Sequence, residues 1–162
     1  MPEADDLIAD PGSQPPVLDL LEEILVEAQA PFSSSANGRI LVLTNLIPIV
    51  FATFPASRSD HAVLMAYASY PFKIPRTLVN AAGRAVNKVN SLNIAQCTLD
   101  FEDDGTAIAE FRVAFPTAPA VTRPQVKIME AMIEAIISQM LDIFEQELPL
   151  QFYPLSSGGE KA

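Results

Sequence analysis

The sequence predicts an α+β fold in which helices pack on one antiparallel sheet. Two segments with helical spacing of apolar residues, near 15–30 and 123–147, enclose several strand-like segments. A third helical segment, over 75–90, separates those strands into two groups. Two of the strands alternate on either side of Asp104-Gly105, which is a strong hairpin signal. The predicted order of elements is therefore α-β-β-β-α-β-β-α.

The first helix is expected to begin near Pro15 and Pro16, because proline is tolerated in a first helical turn. Its apolar residues recur with helical spacing, and its acidic residues lie on the other face. Pro31 and the polar run up to Gly38 end this helix.

Three strand-like segments follow, over 39–45, 47–54 and 62–70. Pro48 cannot donate a ladder hydrogen bond, so we expect it at the start of a strand or on a sheet edge. The third segment is apolar on both of its faces. It therefore carries surplus apolar surface.

The second helix is predicted from Pro75 to about Asn90. Gly83 inside it costs about 1 kcal/mol relative to alanine, which favours close packing at that position. The hairpin strands then run over 94–101 and 106–115. Their turn needs a positive φ, which glycine supplies.

The third helix is predicted from about Arg123 to Glu147, with Pro149 ending it. Thr122 and Gln125 fit a capping box, in which each side chain satisfies a backbone amide of the other residue. The polar stripe of this helix is narrow, whereas a surface helix usually needs only about 100° of apolar face. We therefore expect it to pack on the sheet and on something else.

The chain has 162 residues, of which 49% are hydrophobic, so the composition excludes intrinsic disorder and supports one core. We predict a single domain over 15–150, between a flexible acidic arm over 1–14 and a flexible tail over 151–162. Cys97 is the only cysteine, which excludes an intramolecular disulfide framework and a cysteine-based zinc site.

The net charge is −10, from acidic ends and a mildly basic middle. This balance argues against binding to nucleic acid or to an anionic membrane surface. Residues 1–10 hold four acids and no base, unlike a secretory signal. The longest apolar stretch, 40–54, is interrupted by polar residues and shorter than the roughly 20 residues of a membrane span. We expect a cytoplasmic protein.

A family resemblance rests on the helix end Arg84–Asn93 (RAVNKVNSLN), the strand Ala95–Asp100 and the Asp104-Gly105 turn. These segments resemble the YbjN family, also called sensory transduction regulators, which shares the class I type III secretion chaperone-like fold. The resemblance covers roughly 16–148. It implies helices packed against an antiparallel sheet and a dimer, and it brings no catalytic residues.

The candidate chemical groups do not indicate an enzyme, and we predict no catalytic residue, cofactor or metal. His61 is the only histidine, and no Gly-x-Ser-x-Gly nucleophile elbow accompanies it. Asp100, Glu102 and Asp104 match the start of a calcium loop. The twelfth position, however, holds Phe111 instead of glutamate, which favours a solvated hairpin turn.

The surplus apolar surface and the lack of catalytic groups predict a chaperone-like, protein-binding adaptor or regulator. We expect a homodimer that also binds another protein as client or regulatory partner. The methionines fit either core filling or an adaptable binding surface. The side chains expected on binding surfaces are Met65, Tyr67, Phe72, Ile128, Met132 and Phe144.

The alternative is a small-molecule sensor with an apolar pocket between the sheet and the second and third helices. Arg84, Lys88 or Arg112 would then hold an acidic head group. An enzyme would need an acid–base pair that only the fold assembles.

Overall fold

The computed structural model describes residues 16–55, 62–117 and 120–148, and within these ranges it contains three helices and six strands. A short 3-10 turn, Arg76–Leu78, leads into the second helix. The predicted α+β class is confirmed. In chain order the elements are α1 (Val17–Glu27), β1 (Phe32–Ser34), β2 (Ile40–Leu43), β3 (Pro48–Pro55), β4 (Ala62–Ser69), α2 (Val79–Ser91), β5 (Gln96–Phe101), β6 (Ala107–Thr117) and α3 (Arg123–Glu147).

The six strands form one sheet in the order β1-β2-β3-β4-β6-β5. β1 pairs with β2, β2 pairs with β3, and β5 pairs with β6, in each case antiparallel. β6 also runs antiparallel to β4, because Tyr70 N–H donates to Ala109 O at 2.8 Å and Thr117 Oγ1 donates to Ala62 O at 2.8 Å. The hairpin therefore inserts its second strand next to β4.

β1 is a strand that the sequence pattern does not predict. The run over 33–38, which is rich in serine, is expected only to end the first helix, yet Phe32, Ser33 and Ser34 pair with β2. Their burial is low, because β1 is an edge strand. Backbone pairing to a neighbour creates such a short strand, and side-chain alternation carries no signal for it.

The chain forms two compact units, and the first takes residues up to 66 together with 114–134. In it α1 packs on β3. The inner side chains are fully or almost fully buried: Leu21, Leu25, Ile40, Ile49, Phe51, Leu64, Val126 and Ile133.

The second unit takes residues 67–113 together with residues from 135 onward. In it α2 packs on β5, and the ring of Phe144 lies 5.1 Å from the ring of Tyr70 and 5.2 Å from that of Phe111. The single domain over 15–150 stays a prediction, and the arm and the tail lie outside the described residues.

Three local predictions are confirmed and one is wrong. The capping box is confirmed, since Thr122 N–H donates to Gln125 Oε1 at 2.9 Å and Gln125 N–H donates to Thr122 Oγ1 at 3.4 Å. Pro48 is the first residue of β3, and Gly105 has a φ of 80°. The prediction of close packing at Gly83 is wrong, because a Cβ built there meets no atom within 4 Å.

Candidate functional site

The first candidate surface is the N-terminal half of α3, where the helix is apolar on its outer side as well as its inner side. Ile128 is 60% exposed and Met132 is 46% exposed. The two residues are four apart, so they lie next to each other on the helix surface. Val126 and Ile133 face the core of the first unit and are fully buried.

A pocket of about 310 Å³ adjoins Ile128. It lies where the end of β6 and the start of α3 come together. Most of its lining is apolar, with one amide and one hydroxyl side chain: Phe115, Pro116, Thr117, Val121, Gln125, Ile128 and Met129. We call Ile128, Met132 and this pocket the α3 patch.

The sequence indicates only part of the α3 patch. Ile128 and Met132 were predicted on a binding surface, and the structure places them side by side. Phe115, at the end of β6, and Val121, in the loop before α3, also line the pocket, and neither is predicted from the sequence to lie on a binding surface. A loop residue gives no periodic signal, so only the folded chain brings Val121 next to Ile128.

Phe144 was predicted on a binding surface, and the structure places it in the core of the second unit. Its exposed fraction is 0%, and its ring contacts those of Tyr70 and Phe111. Its position in an all-round apolar helix did not reveal which side faces the sheet. Phe72 is half-buried, with its ring 5.6 Å from that of Tyr70 in an edge-to-face arrangement.

The second candidate surface is the outer face of the sheet. On β6, Phe111 and its alternate neighbours are fully buried, whereas Ile108, Glu110 and Arg112 between them are half-buried. β4 shows the same alternation, with Leu64 buried and Met65 and Tyr67 half-buried. Two more of the predicted residues, Met65 and Tyr67, therefore point away from the helices.

Arg112 is held against the ring of Tyr67 on this outer face. Its guanidinium carbon lies 5.7 Å from the ring centroid, within the range of a cation–π contact. Its Nη2 lies 3.6 Å from Glu110 Oε2, which is too long for a hydrogen bond. Arg112 Nε is buried and is the one buried side-chain nitrogen or oxygen without a hydrogen-bond partner in the described ranges.

The three cations proposed for an acidic head group have different partners. Arg84 Nε lies 3.4 Å from Glu147 Oε2, and Lys88 pairs with the other oxygen of the same carboxylate. These contacts, led by the hydrogen bond from Lys88, lower the pKa of Glu147. Arg112 contacts Tyr67 and Glu110 instead, so the three cations do not converge on one ligand.

Asp104 and Glu102 of the β5–β6 hairpin both have partners within the chain. Asp104 Oδ1 accepts hydrogen bonds from Thr106 N–H at 2.9 Å and from Thr106 Oγ1 at 2.6 Å. The Thr106 hydroxyl is the main reason that the pKa of Asp104 is lowered. Glu102 pairs with Lys73 at 2.6 Å. Across 16–55, 62–117 and 120–148, no three His, Cys, Asp or Glu side chains are grouped to hold a metal ion.

The remaining candidate nucleophile is shielded. Burial raises the pKa of the Cys97 thiol to about 12, so this thiol stays protonated and unreactive at neutral pH. His61 lies outside the described residues. None of the described helices is both long enough and apolar enough to cross a membrane. The cytoplasmic location stays a prediction.

Comparison with known proteins supports the fold. The sequence matches no protein-family model and no curated protein. The structure is similar to the crystal structure of E. coli YbjN, described as a proposed transcription regulator. The TM-score is 0.57 at 16% sequence identity, over 83% of this chain and 97% of the YbjN chain. The resemblance found in the sequence therefore holds for the fold: this chain folds like YbjN.

Proposed function

We propose that this protein is a non-catalytic, chaperone-like regulator that acts as a homodimer and binds a segment of another protein at the α3 patch. The observation that carries the proposal is the pair of exposed apolar side chains, Ile128 and Met132, beside an apolar pocket. The fold is consistent with this role, since the similar protein YbjN is itself described as a proposed regulator.

The α3 patch suits a partner that inserts an apolar side chain. Binding energy at protein interfaces concentrates where an anchor side chain fills a pocket and neighbouring contacts exclude water. A pocket of about 310 Å³ lined by Phe115, Val121 and Met129 provides such a place. Ile128 and Met132 extend the apolar surface along the helix, and methionine adapts its shape to varied partners. An amphipathic segment with one large apolar anchor fits this arrangement.

Three of the reactive groups in the described residues are poorly suited to acid–base catalysis. The Cys97 thiol is protonated at neutral pH, and the carboxylates of Asp104 and Glu147 are hydrogen-bonded to neighbouring side chains. General acid–base catalysis needs an accessible group whose pKa lies near the working pH. None of these three groups meets that requirement.

The proposal is tested by affinity capture from native lysate with four forms of the full chain: wild type, Ile128→Glu, Met132→Glu and Gln146→Glu. Gln146 is exposed on the same helix, away from the patch, so its replacement adds the same charge as the other two. We expect the same proteins with wild type and the Gln146 variant, and at least a tenfold loss with the patch variants.

A photo-crosslinking residue at position 128 should then join the captured protein to this chain. Equal capture by all four forms, or no captured protein at all, would contradict the proposal. Circular dichroism and thermal melting check that the variants fold.

The pocket also favours a second candidate function, the sensing of an apolar metabolite. Its apolar lining and its Gln125 and Thr117 side chains could orient a small ligand. A thermal-shift screen of fatty acids, nucleotides and amino acids separates the two functions, because ligand binding raises the apparent stability of the native state. A melting temperature that no compound raises would exclude this candidate.

A further inference from the structure

The outer face of the second unit carries an arginine that lacks part of its expected hydrogen bonding. Arg112 Nε is buried without an acceptor, and the Nη2 atom lies 3.6 Å from Glu110. Buried polar groups in folded proteins almost always have a hydrogen-bond partner, so an exception calls for an explanation. The guanidinium is nevertheless held in one place, over the Tyr67 ring.

Glu110 is on the same face and forms a loose ion pair with Arg112 within the chain, at 3.6 Å. The Glu110 and Arg112 side chains remain 40% and 43% exposed, respectively. They are two residues apart on β6, so their backbones are about 7 Å apart along the strand. A negative and a positive side chain thus stand in line on an accessible, partly apolar surface beside Tyr67 and Ile108.

This arrangement is complementary to itself. When two copies of this face are opposed, a two-fold axis can run midway between them. The axis is perpendicular to the direction of β6 and passes at the level of Phe111. The second β6 then runs in the opposite direction, so each Glu110 lies across from the Arg112 of the other copy. One axis forms both ion pairs at once, which is the property of an isologous interface. Sheets that pack face to face lie about 10 Å apart, a gap that an arginine and a glutamate can span together.

We infer that the occupant of this face is a second copy of the same chain, with reciprocal Arg112–Glu110 pairs on either side of the two-fold axis. The inference rests on the proposed function, of which the homodimer is a part. It assigns the dimer interface to the outer face of the sheet, so the α3 patch stays accessible to another protein. Tyrosine and arginine are enriched at interface cores, and both meet here. The carboxylate of the second copy pairs with the exposed part of the Arg112 guanidinium, since Arg112 Nε itself is buried within the chain.

Charge reversal tests the inference, because reciprocal pairing predicts that two weakened variants recover dimerisation when they are mixed. Arg112→Glu and Glu110→Arg each place like charges across the axis, and each is expected to raise the dimer dissociation constant at least about 100-fold. An equimolar mixture of the two variants restores opposite charges at both pairs. We expect that mixture to form a heterodimer, measured by sedimentation velocity and by native mass spectrometry with one chain tagged.

Matched controls carry the same change in net charge elsewhere. Arg123→Glu matches Arg112→Glu, and Glu23→Arg matches Glu110→Arg; both control side chains are exposed and belong to the first unit. We expect these controls to stay dimeric. Thermal melting checks that each variant folds. Should a reversal unfold the chain, Arg112→Gln and Glu110→Gln replace it, each with an expected weakening of about tenfold.

The outcomes separate this inference from the proposed function. A wild-type chain that sediments as a monomer at micromolar concentration would overturn both the homodimer and this surface. A wild-type dimer that survives Arg112→Glu and Glu110→Arg unchanged would overturn this surface and leave the homodimer intact. Variants that become monomeric but form no heterodimer when mixed would overturn the reciprocal pairing.

Discussion

The side chain of Asn90 forms two hydrogen bonds with the backbone of Cys97. Asn90 Nδ2 donates to Cys97 O at 3.1 Å, and Cys97 N–H donates to Asn90 Oδ1 at 2.7 Å. Asn90 is in the last turn of α2, and Cys97 is in β5, the last strand of the sheet. The carboxamide thus occupies the place of a further strand at this residue, and it links the helix to the sheet edge.

Replacing Asn90 by alanine removes both bonds and leaves the N–H and C=O of Cys97 without these partners. We expect Asn90→Ala to lower the free energy of unfolding by about 1–3 kcal/mol, because unsatisfied buried polar groups are costly. Urea denaturation followed by circular dichroism measures the loss. Asn87→Ala, an exposed change on the same helix, should stay within about 0.5 kcal/mol of wild type. Equal effects of the two substitutions would contradict the role of Asn90.

The two sides of α3 should respond very differently to truncation. Phe144 is fully buried against Tyr70 and Phe111, so Phe144→Ala is expected to lower the free energy of unfolding by about 3–5 kcal/mol. Ile128 is 60% exposed, and Ile128→Ala should change stability by no more than about 0.5 kcal/mol. Chemical denaturation of both variants checks the orientation of the helix. A large loss at Ile128 would show that its side is already covered.

Two glycines should respond with opposite signs to replacement by alanine. A Cβ at Gly83 meets no atom within 4 Å, so Gly83→Ala should stabilise the chain by about 0.5–1 kcal/mol through helix propensity. Gly105 has a φ of 80°, and a Cβ there would lie 3.1 Å from Arg76 Cδ. Gly105→Ala should therefore destabilise the chain by about 1–2 kcal/mol. Melting temperatures of the two variants on opposite sides of wild type would support both statements.

The stability of the protein should depend on pH through Glu130. Burial, followed by the nearby charge of Glu134, raises the pKa of Glu130 to about 7 from a usual 4.5. The folded state therefore holds this proton up to about pH 7, whereas the unfolded state releases it near pH 4.5. The stabilisation from this group is complete below pH 4.5 and is lost as the pH rises through 7.

Glu130→Gln should accordingly reduce the fall in unfolding free energy between pH 5 and pH 8. At pH 8 we expect the free energy of unfolding of Glu130→Gln to exceed that of wild type by about 1 kcal/mol. The effect stays this small because water partly screens the half-exposed carboxyl. Denaturation curves at both pH values measure the effect. Glu145→Gln removes an exposed carboxyl from the same helix and serves as the control. A Glu130 variant with the same pH dependence as wild type would exclude this group as the cause.

Features with a strong local signal could be predicted from the sequence. The Asp104-Gly105 turn and the capping box formed by Thr122 and Gln125 are examples, since each depends on backbone geometry within four residues. The α+β class follows from the alternation of helical and strand-like periodicity, and the structure confirms it. β1 was missed because a three-residue edge strand with one apolar and two polar residues is too short to show an alternating pattern.

The sequence by itself determined the three helices, five of the six strands in the described residues, and their order. The tertiary structure decided which side of each element is covered. α3 is apolar nearly all round, so periodicity identified the helix but could not tell that Phe144 turns inward while Ile128 turns outward. The open side of β6 likewise appears only when the helices pack on the other side, which leaves Glu110 and Arg112 accessible. Periodicity reports the geometry of one segment, whereas exposure depends on neighbours that are distant in the chain.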